Sequence, residues 1–460
     1  MLPVSELLAT ARSAGTMEAF RLALDRCIAA IDALVSGQLD AILHHSRLRR
    51  LEGSWRGLAW LVQGLDPGGT VRVKVLNLPW RDLCRDLARA TEFDRSHLFR
   101  KVYEEEFGMP GGEPYGLLVI DHELRHRPVA EAPTDDVNAM AALAGVAAAA
   151  FAPVVIGAAP ALLQVDSFGD LALAGDLADP FRSDEFVRWR GLARQDDMRF
   201  VAVTLPRALA RPAWADDPAR GDGFRYAETV SGPDENVWMT AGFPFAAVAT
   251  RAFANHHWPA DVRGAETNRL GGGLVTDMPA QLFPTDPAWF RSSLDVALSD
   301  RQERMLIEAG LMPLTALPFG EQGVFAGVRT LHMPQRYAGP VGAVADANAR
   351  FSSQLNSMLC VSRFAHYVKL LGREAVGSFH DAADIEQRLH AWLQGYVNPS
   401  MSAPSDVRAR FPLATARVSV REKIGKPGTF TCTVHLQPHF QLDGVSATFR
   451  MITDLAAPGS

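Results

Sequence analysis

Residues 425–455 read GKPGTFTCTVHLQPHFQLDGVSATFRMITDL. Phe430, Cys432, Val434 and Leu436 alternate with Thr431, Thr433, His435 and Gln437 after a KPG turn at 426–428, the two-residue period of a half-buried strand in a hairpin. Ala447, Phe449, Met451 and Leu455 alternate again close to the carboxyl end, in a strand that can pair with its own sheet or with a neighbour's.

Upstream the period becomes helical. Phe351, Leu355, Leu359, Phe364, Val368 and Leu371 predict one long helix over 346–372, and Ile385, Leu389, Trp392 and Leu393 a second; Gly372 and Pro399 stop them. MPQRYAGP (333–340) marks a domain boundary before this unit, placing a carboxyl-terminal domain at 345–460.

The larger part, 51–335, mixes both periods. VRVKVL (71–76) alternates as a strand, residues 80–90 are helical, YGLLVID (115–121) and RFVAVTLP (199–206) read as strands, 301–309 as a helix and 323–328 as a strand. No charge falls between Asp136 and Asp166, a length that tests for a membrane span. Much of it is alanine, and Pro153 and Pro160 would break a spanning helix. A buried helix at 139–150 leading into a buried strand at 153–157 is the expectation, without membrane insertion. The amino-terminal 1–50 form a helical arm, with Leu22, Leu24, Ile28, Ile31, Leu34, Leu39 and Leu43 at helical spacing. The fold class is therefore α/β (α+β), mixed sheets with flanking helices.

Composition narrows the function. The 460 residues are 48% hydrophobic with a formal charge of -6 and mixed signs, which gives nucleic acid no basic face to bind. Cys27, Cys84, Cys360 and Cys432 lack CxxC spacing, and the first twenty residues lack the apolar core of a signal peptide; four free thiols in a cytoplasmic protein are expected. HELRH (122–126) matches the zinc motif in which two histidines one helical turn apart flank a general-base glutamate, the pattern of a zinc-dependent hydrolase. It follows directly on a strand and meets Pro128, leaving little room for the helix. His44-His45 and His256-His257 are adjacent and point apart; GGG (271–273) and GMPGGEPYG (108–116) lack the ending of a phosphate loop. No catalytic residue, cofactor or metal ligand is assigned. Arg363, His366, Lys369 and Arg373 recur every three or four residues as a basic stripe opposite the apolar face of the long helix, a pattern of interaction.

Five segments together resemble the large subunit of the type VI secretion contractile sheath, the TssC or VipB family: ILHHSRLRRLEGSWRGLAWLV (42–62), VYEEEFGMPGGEPYG (102–116), WRGLARQDDMRFVAVTLPRALAR (189–211), LCVSRFAHYVKLLGREAVGSF (359–379) and the terminal stretch quoted first. The resemblance implies a phage-tail-sheath-like fold and a structural protein without catalysis. It implies an obligate heterodimer with the small, TssB/VipA-like sheath subunit, stacked around a tube of Hcp rings on a baseplate and recycled by a ClpV-type ATPase. Under it, Ile28, Ile31, Leu34, Leu39 and Leu43 become the candidate small-subunit contact. Val445, Ala447, Phe449, Met451 and Leu455 become the inter-subunit strand, and Arg363, His366, Lys369 and Arg373 the tube-facing helix. A sheath from a related phage-tail-like injection particle would share these features.

Overall fold

The computed structural model describes residues 8–455 apart from 10–11, 14, 110, 218, 220–222, 267–268, 284–285, 318–320, 335–345, 347–348, 377–380, 401, 424–429 and 440–448. Its centre is a parallel sheet in the order β1-β2-β3-β9: β1 (Leu118–Leu124), β2 (Val154–Ala158), β3 (Val201–Leu205) and β9 (Met312–Pro313). Every residue of β2 and β3 is buried, because helices and loops cover both faces; such strands read as unbroken apolar runs. Their side chains still divide by the two-residue period. Val154 and Ile156 enter one core with Met140, Leu143, Phe168, Phe186 and Trp189, while Val155 enters the other with Phe245 and Phe325.

Nine helices are used below: α1 (Met17–Leu43), α2 (Ser46–Gln63), α3 (Trp80–Arg89), α4 (Asp136–Ala150), α5 (Val187–Ala193), α6 (Gly242–His256), α7 (Asp300–Glu308), α8 (Leu355–Val376) and α9 (Ala382–Gln394). Asp135 caps α4 by accepting from the Asn138 N–H, and Phe151, in the left-handed region at φ 50°, closes it. The alanines let α4 lie deep in the first core, so the uncharged stretch is an interior helix leading into β2, as expected. No single helix among the described residues is long and apolar enough to cross a membrane.

Around the sheet sit smaller antiparallel units: β4 (Ala208–Arg211) with β5 (Val237–Met239), β6 (Leu274–Val275) with β10 (Thr315–Ala316) and β11 (Gly323–Val324), and β7 (Gln281–Phe283) with β8 (Asp286–Arg291). The carboxyl-terminal unit packs α8 and α9 on an antiparallel sheet of β12 (Leu413–Glu422), β13 (Phe430–Pro438) and β14 (Phe449–Leu455), in that order. Burial along β13 alternates residue by residue, with Phe430, Cys432, Val434 and Leu436 inside.

Several expected boundaries move. The helical arm breaks at His44-His45 into α1 and α2, bent by 70°. The strand expected at 115–121 starts at Leu118, whose N–H donates to the Pro153 carbonyl, and runs on through Leu124. The strand expected at 323–328 shrinks to Gly323–Val324. The helix expected from 346 begins at Leu355, because Gln354 bridges Arg329 and the Ser353 carbonyl takes the Thr330 N–H. Residues 71–76, expected as a strand, are neither helix nor turn and join no sheet. The KPG turn (426–428) and most of MPQRYAGP lie outside the described residues.

Candidate functional site

Helix α1 is long and almost bare: of its 27 residues only Cys27 is buried. Ile28, Ile31 and Leu34 are 47%, 40% and 52% exposed, while Leu39 and Leu43, the other two expected contacts, are half-buried toward the chain. The apolar face therefore opens away from the point where the arm is fixed.

That point is a buried ion network. Arg211 on β4 donates from Nε to Glu52 Oε1 (2.6 Å) and from Nη2 to Glu228 Oε1 (3.2 Å), and its guanidinium lies over Trp214. His44 Nε2 lies 3.2 Å from Glu228 Oε1, and the Tyr226 hydroxyl donates to Asp40 at 2.7 Å. Burial opposes the charge on Glu228, but the Arg211 guanidinium and the Trp214 N–H hold its carboxyl below the ordinary range. Burial, then the bond to Asp40, pushes the Tyr226 phenol up. Two glycines let α2 lie against the body: a Cβ at Gly53 would meet the Trp238 carbonyl oxygen at 2.1 Å, and one at Gly57 the Phe243 ring at 2.6 Å. Glu52 and Arg211 come from two of the five segments quoted above, but their pairing across 159 positions left no periodic or spacing signal.

HELRH is not a helical metal motif. His122, Glu123 and Leu124 are the end of β1, so the turn that would bring both imidazoles to one face does not exist. Each ring has its own carboxylate: His122 Nε2 lies 3.2 Å from Asp136 Oδ2 with its ring stacked on Trp80, and His126 Nε2 lies 2.9 Å from Glu185 Oε1 with its ring stacked on Phe186. Burial raises the Asp136 carboxyl, but His122, Trp80 and the Arg125 N–H bring it below the ordinary range. The two histidines thus tie β1 and its following loop to α3, α4 and the segment before α5. Among the described residues no three His, Cys, Asp or Glu side chains converge on a possible metal position.

The basic stripe on α8 is corrected in its orientation. His366 is buried, and its Nε2 lies 2.9 Å from the Ala150 carbonyl oxygen. Lys369 donates to the Tyr103 hydroxyl (2.9 Å) and sits 3.9 Å from the centre of the Phe107 ring. Arg373 donates to the Phe107 carbonyl (3.0 Å), and Arg363 to the Tyr367 hydroxyl (3.1 Å) beneath Phe253. His366, Lys369 and Arg373 fix α8 to residues 103–107 and the end of α4, and Arg363 lies against Phe253 of α6, instead of facing outward, because aromatic faces and open carbonyls there offer cations better partners than water. Burial outweighs the Ala150 bond, which favours the charged form, and drops the His366 pKa to about 4, so the imidazole is neutral.

The terminal strand is β14. Phe449, Met451 and Leu455 pair in register with Leu436, Val434 and Phe430, giving β14 an edge of its sheet; Val445 and Ala447 lie outside the described residues. Cys27, Cys84, Cys360 and Cys432 are all free thiols, and burial pushes Cys360 and Cys432 up to about 12.

Residues 25–332 match the family VipB, described as EvpB/VC_A0108, tail sheath N-terminal domain, and residues 344–455 match its companion, described as tail sheath gpW/gp25-like domain. The chain is 33% identical over 439 residues to the type VI secretion system sheath protein TssC1 of Pseudomonas aeruginosa, covering 94% of this chain and 86% of that one. Among solved structures it is similar to a chain of the anti-feeding prophage baseplate, at 11% identity and a TM-score of 0.34 over 84% of this chain and 79% of that one. The chain belongs to the VipB family of tail sheath proteins and is a structural subunit of a type VI secretion sheath.

Proposed function

We propose that this subunit works in the cytoplasm as an obligate heterodimer with the small, TssB/VipA-like sheath subunit. The bare apolar face of α1 is the seat of that partner. Further copies stack as a helical sheath on a baseplate around an Hcp tube, and contraction drives the tube outward; a ClpV-type ATPase recycles the contracted sheath. It does this as a structural element, without catalysis.

The exposure of α1 is the observation that carries this reading. A 27-residue helix with Ile28, Ile31 and Leu34 in water gains little from its own chain, whereas burying each such side chain in an interface stabilises by about 1.5–3 kcal/mol. The anchoring network at Arg211 holds the base of the arm while its apolar length remains available. At the other end, the edge strand β14 has main-chain groups with which a neighbouring subunit's strand can pair, a link that persists while rigid bodies slide. Head-to-tail contacts that do not close into a ring then build a helix, and contraction is a rigid-body change between two packings.

Co-expression with the candidate small subunit, viewed by negative-stain electron microscopy, tests the reading. Hollow, helically ridged tubules are expected. Well-dispersed single chains that ignore the small subunit would overturn it.

A further inference from the structure

We propose that residues 71–78 are an intermolecular β-strand, paired main chain to main chain with an extended segment of the small sheath subunit. The proposal rests on the reading of α1 above as that subunit's seat.

The segment VRVKVLNL opens with the alternation and β-branching of a strand, and it forms no helix, turn or sheet ladder along its length. Among the described residues, none of its backbone N–H or C=O groups makes a hydrogen bond, although regular structure stands on both sides in α2 and α3. Side chains alone hold it in place. Arg72 pairs with Glu113, and Lys74 reaches Glu106 Oε1 at 2.6 Å and Glu113 Oε2 at 3.8 Å while lying over the Tyr115 ring. The chain thus holds this segment beside Glu106, Glu113 and Tyr115 yet leaves its main-chain groups open, the condition in which an edge captures another polypeptide.

Four apolar side chains face outward among the exposed Arg72, Lys74 and Asn77. Val73, Val75, Leu76 and Leu78 are 38%, 61%, 60% and 39% exposed. Because Glu106 and Glu113 already neutralise the two cations, the segment that pairs here needs alternating apolar residues and no acidic ones. Position along the chain selects the small subunit over a second copy. Seventeen of the twenty-four exposed large apolar side chains among the described residues lie at or before Leu78, including Leu51, Trp55 and Val62 on α2. One partner covering α1 and α2 continues naturally onto the strand that follows them.

Hydrogen exchange on the unassembled complex of the full chain with the small subunit tests this. Amides of 71–78 should exchange on the order of 100-fold more slowly than in an unstructured peptide of the same sequence. Free exchange there with α1 protected would overturn the strand and leave the reading of the arm intact. Failure of the two chains to associate would remove both. Protection that appears only in assembled tubules would assign the strand to a second copy, against the proposal. Since a ladder uses the N–H groups of alternate residues, one of Val75→Pro and Leu76→Pro should cut the protection of 71–78 at least tenfold while α1 stays protected. Neither should alter folding of the chain itself, and Val75→Thr should leave protection unchanged; two silent prolines would overturn the proposal.

Discussion

Helices α4 and α1 both carry abundant alanine and aliphatic residues, and they end in opposite surroundings: ten of the fifteen residues of α4 are buried, against one of twenty-seven in α1. The difference lies in how the apolar residues are distributed. Helix α4 is apolar on every side between Asn138 and Ala150, so only an interior satisfies it. Helix α1 interleaves Arg21, Asp25, Arg26 and Asp32 with its aliphatic residues, which leaves apolar side chains that its own chain does not cover. One helix specifies the fold, and the other, under the proposed function, an assembly.

The comparison breaks most sharply at a single aspartate. Leu143→Asp places a charge among Met140, Phe168 and Ile156 with no cation to meet it, and the cost should exceed about 5 kcal/mol. No folded complex should be recovered, as soluble yield and circular dichroism would report. The same change on the arm, Leu34→Asp, should leave the fold of the body intact and abolish co-purification with the small subunit.

At the join between the two regions the expected effect is smaller but still large. Arg211→Ala leaves buried Glu228 without its guanidinium and Glu52 with Arg56 alone, and removing one partner of a buried ion network typically costs about 3–5 kcal/mol. Chemical denaturation of the purified complex should show the loss, and proteolysis should cut first near His44, where the arm loses its anchor.

Acid probes the body without touching α1. His366 has a pKa near 4 in the folded chain and an ordinary value once unfolded. The unfolded state therefore binds the extra proton between about pH 6.5 and 4, and stability present above that window is lost as pH falls through it. A shift of this size corresponds to roughly 3 kcal/mol. His332, which burial also lowers to about 4, acts in the same direction over the same window. His366→Gln should flatten part of the fall in melting temperature between pH 6.5 and 4, with His332, which burial lowers as far, and His256 and His439, also lowered by burial, supplying the rest.

Much of this division is visible in sequence, and the parts that are not share a cause. The alternation at 430–436, the spacing of Ile385 and Leu389, and the alanine-rich run each set local geometry through one period, and one period is enough to recognise an element. The orientation of the basic stripe depends on which surface α8 meets. Phe107 and Ala150 lie more than two hundred positions from their cationic or imidazole partners, so nothing near Arg363 or Lys369 distinguishes an inward face from an outward one. HELRH fails as a metal site for the reverse reason, since its strand context is local and shows beside GLLVID. The pairing of Arg211 with Glu52 is silent in any single segment because both residues are ordinary members of charged runs until the fold brings them together.

The finest test of the comparison separates folding from assembly within α1 itself. Ile31 and Leu34 already lie 40% and 52% exposed, so Ile31→Ala and Leu34→Ala remove little packing from the folded chain and should move its stability by no more than about 0.5 kcal/mol. If the stripe seats the small subunit, the same two changes delete apolar area from the centre of an interface, where truncating a well-packed side chain costs more than about 1 kcal/mol. Titration of the small subunit against the pair of variants should therefore show affinity falling tenfold or more while the melting profile of the body stays where it was. Affinity that stays level would move the small subunit off this face and leave the exposure of α1 to be explained by contact between copies of the same chain. A melting profile that drops with affinity would show instead that α1 is part of the folded body, and the contrast with α4 would be one of degree.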